Sequence, residues 1–236
     1  MRRQIPAFLV SLRLVLALGL IVCVAFPAAI YGIGQLFFEH QAEGSLIVRN
    51  GKTVGSSLLA QPFTGPGYFW PRPSAAGSGY TGTGYDATAS GGSNAGPLAA
   101  RLLADCLPVP KTDTAGNPLV DAHGQPVDAT NPDGSKVCNP NTVPQRVEAY
   151  RSANSLGPHA RVPVDAVTAS FSGLDPDISV ANARIQAGRV ARARGVSRRH
   201  VLRLVDEHTS RRVLGVIGED AVNVMELNLA LDSMHH

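Results

Sequence analysis

The chain has 236 residues, 44% of them apolar and 17% charged, with a formal net charge of +3. That composition suits a globular body with a buried core and excludes a disordered or collagen-like chain. All basic residues except Lys52, Lys111 and Lys136 are arginine; that is a compositional bias, and it carries no argument for nucleic-acid binding.

Leu14 to Phe38 contains no charged residue, with Arg2, Arg3 and Arg13 before it and Glu39 after it. As a helix this stretch spans about 37 Å, enough to cross a hydrocarbon core of about 30 Å with some tilt. The basic flank predicts a cytoplasmic amino terminus (residues 1–13), a membrane helix over 14–38 and export of residues 44–236. A cleaved signal peptide has a shorter apolar region ending at a small-x-small site, which Ala25-Phe26-Pro27 does not supply. Pro27 predicts a kink, its freed carbonyl re-satisfied by neighbours or a local 3₁₀ turn. Gly19, Ala25, Ala28 and Gly32 would let another membrane helix pack closely.

Leu46 to Phe63 reads as short strand or turn structure. The aromatic cluster Tyr68-Phe69-Trp70 is followed by Pro71-Arg72-Pro73-Ser74. Ser78 to Gly96 is built almost wholly from Gly, Ser, Thr, Ala and Asn, which reads as disorder, with an ordered loop of backbone donors at Ser90-Gly91-Gly92-Ser93-Asn94 as the equal alternative. Leu98 to Leu107 has a helical pattern. Residues 105–143 carry turn signals throughout and no apolar periodicity, which predicts a long surface insertion. Cys106 and Cys138 lie within it, and in an oxidising compartment they would form a disulfide, with two free thiols as the alternative.

In the last third, Val162 to Ser170 reads as a strand and Leu174 to Ile178 as a turn. Ser179 caps a helix through Arg194, with Gly195 in the stop position. Ser197 caps a second helix carrying Val201, Leu202, Leu204 and Val205 on one face. Val213 to Ile217 reads as a strand. Asn223 and Glu226 form a capping-box pattern before a final helix through Leu231, with a strand as runner-up. The whole predicts an α+β fold: one amino-terminal membrane helix, then one mixed α/β exported domain with a long loop insertion.

No catalytic or metal constellation stands out. Gly51-Lys52-Thr53 lacks the upstream glycine of a phosphate-binding loop, and Asn131-Pro132-Asp133-Gly134 lacks the first and twelfth ligands of a calcium loop. His200 and His208 are two helical turns apart, too far to share a metal. Seven arginines between Arg184 and Arg203 read either as a solvated face or as a surface for anionic headgroups or an acidic partner. Asp175 and Asp177 flank Pro176 and read as turn-fixing carboxylates, with a cation site as the alternative.

Taken in order, Gly44-Ser45-Leu46, Gln61-Pro62-Phe63, Tyr68 to Ala75, Ser90 to Asn94, Gly96-Pro97, Val162 to Asp165, Thr168 to Ser170, Ser172 to Pro176, Ile178-Ser179, Arg189 to Gly195, Leu214-Gly215 and Asn223 to Asp232 form a series. This series, behind a single membrane span, strongly resembles the C-subunit family of bacterial Kdp potassium-transporting P-type ATPases. The resemblance covers nearly the whole chain, with two departures. The insertion near residues 105–143 is longer than the usual linker, and Phe171 stands where the family pattern has glycine.

The resemblance implies a non-catalytic accessory subunit of an ATP-driven, high-affinity potassium importer, needed for assembly and acting as a catalytic chaperone of the ATPase subunit. It implies a channel-like A subunit, an ATP-hydrolysing B subunit and a small F subunit as partners, in the cell inner membrane with its lipid. ATP and magnesium would be used by the B subunit, and K⁺ would be the transported ion. The expected partner interface is Tyr68, Phe69, Trp70, Arg72 and Asp175. The alternative is a nucleotide-binding regulator using Ser90, Gly91, Gly92, Ser93 and Asn94.

Overall fold

The computed structural model describes residues 4–77, 84–92, 99, 103–104, 108–114, 117–123, 125–137 and 142–234. The chain divides into two compact units, residues 1–58 and 59–236.

In the first unit, α1 (Gln4–Leu20) and α2 (Phe26–Phe37) are joined by a π-helical turn, Ile21–Ala25. Its large apolar side chains are exposed from Phe8 to Phe37, and Ala7–Phe37 is long and apolar enough to cross a membrane. The helix therefore begins well before Leu14 and stops before Phe38, whose φ of −139° lies outside helical space. Proline 27 explains the π turn. It has no N–H to offer, and widening the register lets the Phe26 N–H reach the Ile21 carbonyl instead. This is a π turn and not the 3₁₀ turn expected. After the short α3 (Glu39–Ala42), β1 (Leu46–Arg49) and β2 (Lys52–Ser56) pair antiparallel. Asn50 and Gly51, at φ 52° and 73°, make the tight turn that an Asn-Gly pair favours between strands.

The second unit holds the core. Its elements are α4 (Val143–Ala153), a 3₁₀ turn (Val164–Ala166), β3 (Asp177–Ser179), α5 (Val180–Arg194), α6 (Arg198–Glu207), β4 (Thr209–Ser210), β5 (Ala221–Asn223) and α7 (Val224–Ser233). The sheet order is β3-β5-β4, all antiparallel, with Ile178 and Thr209 both opposite Val222. Ile178, Val190, Val201, Val205, Val222, Leu227 and Leu231 form the core together with Phe69. The caps follow the expected chemistry. Ser179, Ser197 and Asn223 each accept from the backbone N–H three residues on, and Gly195 closes α5 in the left-handed region at φ 67°.

Three expectations fail here. Val162–Ser170 is not a strand, because Asp165 in the 3₁₀ turn accepts from the Ser179 N–H and hydroxyl and so ties that turn to the start of α5. Asp177-Ile178 is not a turn but strand, paired with β5. Val213–Ile217 is an exposed turn closed by one bridge, and the sheet strands lie on either side of it. Helix α4 had no sequence reading at all, and most of Leu98–Leu107 lies outside the described residues.

The described residues of the insertion are held by backbone bonds, and none of them is buried. Leu119 N–H donates to Lys111 O, Lys111 N–H to Val127 O, and Val127 N–H to Leu119 O, closing a ring of backbone bonds. Ala129, Val109 and Val137 close a second ring in the same way. Between these positions the chain makes three turns, each with an Asp113, Asp121 or Asn131 N–H donating to the carbonyl four residues on. Pro118 and Pro126 sit at bridge positions that require no proline N–H.

Candidate functional site

Helix α5 and helix α7 present a strap, residues 65–74, through polar side chains that reach out of an otherwise apolar face. Asn228 accepts from the Phe69 N–H at 2.8 Å and donates to the Phe69 carbonyl at 2.9 Å. Gln186 treats the next residue alike, at 2.7 Å to Trp70 N and 3.1 Å to Trp70 O. Two side-chain amides thus replace a neighbouring strand for two consecutive residues. This geometry points the Phe69 ring into the core, where it is 0% exposed.

Arg189 locks the strap from beneath. It is 5% exposed and donates to Pro66 O (2.7 Å), Tyr68 O (2.9 Å), Gln186 Oε1 (2.7 Å) and Asn154 Oδ1 (3.2 Å). Its guanidinium carbon lies 3.8 Å from the centre of the Trp70 ring system, within cation–π range. Burial pulls its pKa down to about 10, partly offset by Tyr150, so it stays charged at neutral pH. Arg194 repeats the pattern one turn on, donating to Gly67 O (2.6 Å) and Asp232 Oδ1 (2.8 Å) while covering the Tyr68 ring.

A polar ladder extends inward from there. Gln186 and Tyr150 donate to Asn182 Oδ1, and Asn182 donates to Asp165. Burial, with Asp165 adding to it, pushes the Tyr150 phenol up, which keeps it a donor. Tyr85 donates to Arg72 O at 2.7 Å, and burial raises its phenol to about 12.

The outer side of the strap lines an apolar cleft of about 330 Å³, walled by Phe63, Trp70, Pro71, Pro73, Tyr85 and Tyr150. Trp70 also donates its indole N–H to Gly65 O, leaving the ring edge for the cleft. Of the expected interface residues, Tyr68 and Trp70 are half-buried in the strap. Phe69 is wholly internal, a correction to its reading as a contact residue, because the Asn228 amide turns it inward. Arg72 and Asp175 pair with each other at 2.9 Å.

The described part of the Gly/Ser loop packs against the segment holding Phe171. Gly91 N–H donates to Ser172 O at 2.8 Å, as does the Ser90 hydroxyl at 3.0 Å. A Cβ on Gly92 would stand 2.8 Å from Phe171 O, and one on Gly173 (φ 67°) would stand 2.6 Å from Gly91 O. Close backbone approach therefore persists beside Phe171, whose side chain is 100% exposed. Ser93, Asn94, Cys106 and Cys138 lie outside the described residues. Among the described residues no His, Cys, Asp and Glu cluster could hold a metal. In the membrane helix, a Cβ at Gly19 or Gly32 would meet nothing within 4 Å, and Ala25 and Ala28 are likewise exposed.

Sequence reasoning missed Gln186, Arg189, Arg194 and Asn228. Two of the seven clustered arginines face inward, which neither surface reading foresaw. The available signal was spacing. Asn182, Gln186 and Arg189 fall at helical intervals beside Ala183, Ala187 and Val190, so polar residues occupy the same face as the core.

A family model for the K⁺-transporting ATPase c chain, KdpC, matches residues 8–137 and 138–233. The chain is 44% identical over 234 residues to the potassium-transporting ATPase KdpC subunit of Mycobacterium tuberculosis (strain H37Rv), covering 99% of this chain and 100% of that one. It is also 44% identical to the subunits of the same name from Polaromonas naphthalenivorans, over 95% of this chain and 93% of that one, and from Rhodospirillum rubrum, over 94% and 93%.

Proposed function

The chain belongs to the KdpC family of K⁺-transporting ATPase subunits, and from that premise we propose that it braces an ATP-driven, high-affinity potassium importer as a non-catalytic accessory subunit. Its exported body docks on the channel-like A subunit, and its membrane helix packs against the A or B subunit through Gly19, Ala25, Ala28 and Gly32. The small F subunit completes the complex. ATP and magnesium act at the B subunit, and K⁺ is the cargo. By holding the assembled state, this subunit acts as a catalytic chaperone of the ATPase subunit. The amino terminus is cytoplasmic and the membrane is the cell inner membrane.

One observation carries this reading: a long apolar helix with its surface exposed, on the same chain as a body whose aromatic strap is held rigid by buried amides and arginine. A pre-ordered strap loses little entropy on docking, which favours an interface role. Tyr68, Trp70 and the prolines around the cleft are the surface that meets the partner. The Ser90–Asn94 loop remains the alternative nucleotide site, although the Gly91 donor already serves Ser172.

The test is extraction of the tagged full chain in detergent, followed by mass identification of what co-purifies. Recovery of the A and B subunits is expected, and recovery of the chain alone would overturn the proposal. Trp70→Ala should lower complex recovery by an amount corresponding to about 2 kcal/mol or more if the ring is an anchor.

A further inference from the structure

The turn between β4 and β5 inverts the usual pattern. Val213, Leu214, Val216 and Ile217 are 63%, 87%, 76% and 62% exposed, four large aliphatic side chains within five residues. No charge lies between them, whereas Arg211 and Arg212 stand at one end and Glu219 and Asp220 at the other. The backbone is closed on itself. Val213 N–H donates to Ile217 O, Ile217 and Val216 N–H both donate to Val213 O, and Gly215 N–H donates to Arg212 O. Left-handed φ angles at Leu214 (54°) and Gly215 (75°) make the reversal tight, so the side chains splay outward.

We propose that this turn is a finger that dips into the surface of a lipid bilayer, the same bilayer that the chain's own helix crosses. Backbone donors left open in hydrocarbon are costly, and here those of Val213, Gly215, Val216 and Ile217 are satisfied within the turn. A projecting tip with charges only at its base suits a fluid apolar medium and a headgroup layer. The helix at residues 7–37 keeps the body beside such a surface. The inference rests on the membrane-helix part of the proposed function and not on its orientation or partners. The basal charges balance, with Arg211 3.9 Å from Asp220 and the Arg212 N–H on the same carboxylate. Seating is therefore driven by apolar burial, and it is as good on neutral phosphatidylcholine as on anionic lipid and insensitive to salt.

The test uses the full chain in phosphatidylcholine vesicles whose acyl chains carry bromine, a contact quencher of tryptophan. Two variants are compared with the parent: Leu214→Trp, and Val120→Trp in the insertion as a control. The emission added at position 214 should lose most of its intensity, that at 120 little, and added salt should change neither. Introducing Val216→Asp and Ile217→Asp beside Leu214→Trp should restore the intensity. An unquenched residue 214 overturns the finger, as does quenching equal to that at 120. Shielding of 214 only when other subunits are co-reconstituted also overturns it, in favour of a protein pocket. Release of the chain by alkaline carbonate would overturn the membrane helix and the finger with it, whereas retention with an unquenched 214 overturns the finger alone.

Discussion

Around the aromatic strap, order comes from burial: Phe69 sits at 0% exposure among Ile178, Val190, Leu227 and Leu231, and the backbone above it is held by Asn228, Gln186 and Arg189. Among the described residues of the insertion, 108–137, none is buried. Leu119 and Val120 are exposed, and two three-membered rings of backbone bonds do the holding. Long-range hydrogen bonds tie the first region to α5 and α7. The second closes on its own neighbours through backbone bonds. Long-range burial is what holds the strap rigid, and the insertion is held by local backbone bonds instead.

The sharpest way to break that contrast is Phe69→Ala. It should cost the body about 3–5 kcal/mol, as expected for a buried aromatic leaving a cavity, measured by denaturant unfolding of the full chain in detergent. Arg189→Met should follow at about 3 kcal/mol, because the carbonyls of Pro66 and Tyr68 lose a charged donor in a buried site. The same variant should shift the emission of Trp70, the single tryptophan, as the cation leaves its ring. In the insertion, Asp121→Ala removes the carboxylate that caps the His123 and Gln125 N–H groups. Its expected cost is about 1 kcal/mol or less, seen as faster hydrogen exchange at Gln125 with an unchanged melting temperature of the body.

The smallest effect concerns Asp177 at the edge of the sheet. Burial raises its carboxyl pKa, Asp175 and Glu226 add to that, and Asn223 opposes it. A carboxyl with a raised folded-state pKa binds its proton better folded than unfolded. That contribution is complete below the unfolded value and disappears as pH rises through the folded one. Asp177→Asn should therefore stabilise the body at neutral pH by about 1 kcal/mol or less, once solvent screening is allowed for. The difference should fade as the pH drops below about 4, which melting curves at both pH values would show.

What was legible in the sequence was local. Ser179, Ser197 and Asn223 announce helix starts because the capping bond spans three residues, and Gly195 announces a stop because only glycine takes that backbone turn cheaply. The three-residue strands were illegible because Asp177–Ser179 owes its form to Ala221–Asn223, far along the chain. Val213–Ile217 misled because an apolar run reads as buried, and here it faces outward. The insertion hid its order behind positions eight apart, Lys111, Leu119 and Val127, joined by backbone bonds and not by a common side-chain type. At the candidate site the aromatic cluster was visible, whereas the side chains that hold it, Gln186, Arg189 and Asn228, lie more than 100 residues away.

The proposed bracing role depends most on which side of the membrane the body occupies. Fusing alkaline phosphatase, active only outside the cytoplasm, and in parallel a fluorescent protein that matures only inside, after His236 tests this directly. Phosphatase activity without fluorescence is the predicted result. Fluorescence without phosphatase activity would place the strap beside cytoplasmic ATP and contradict docking on the outer face of the A subunit.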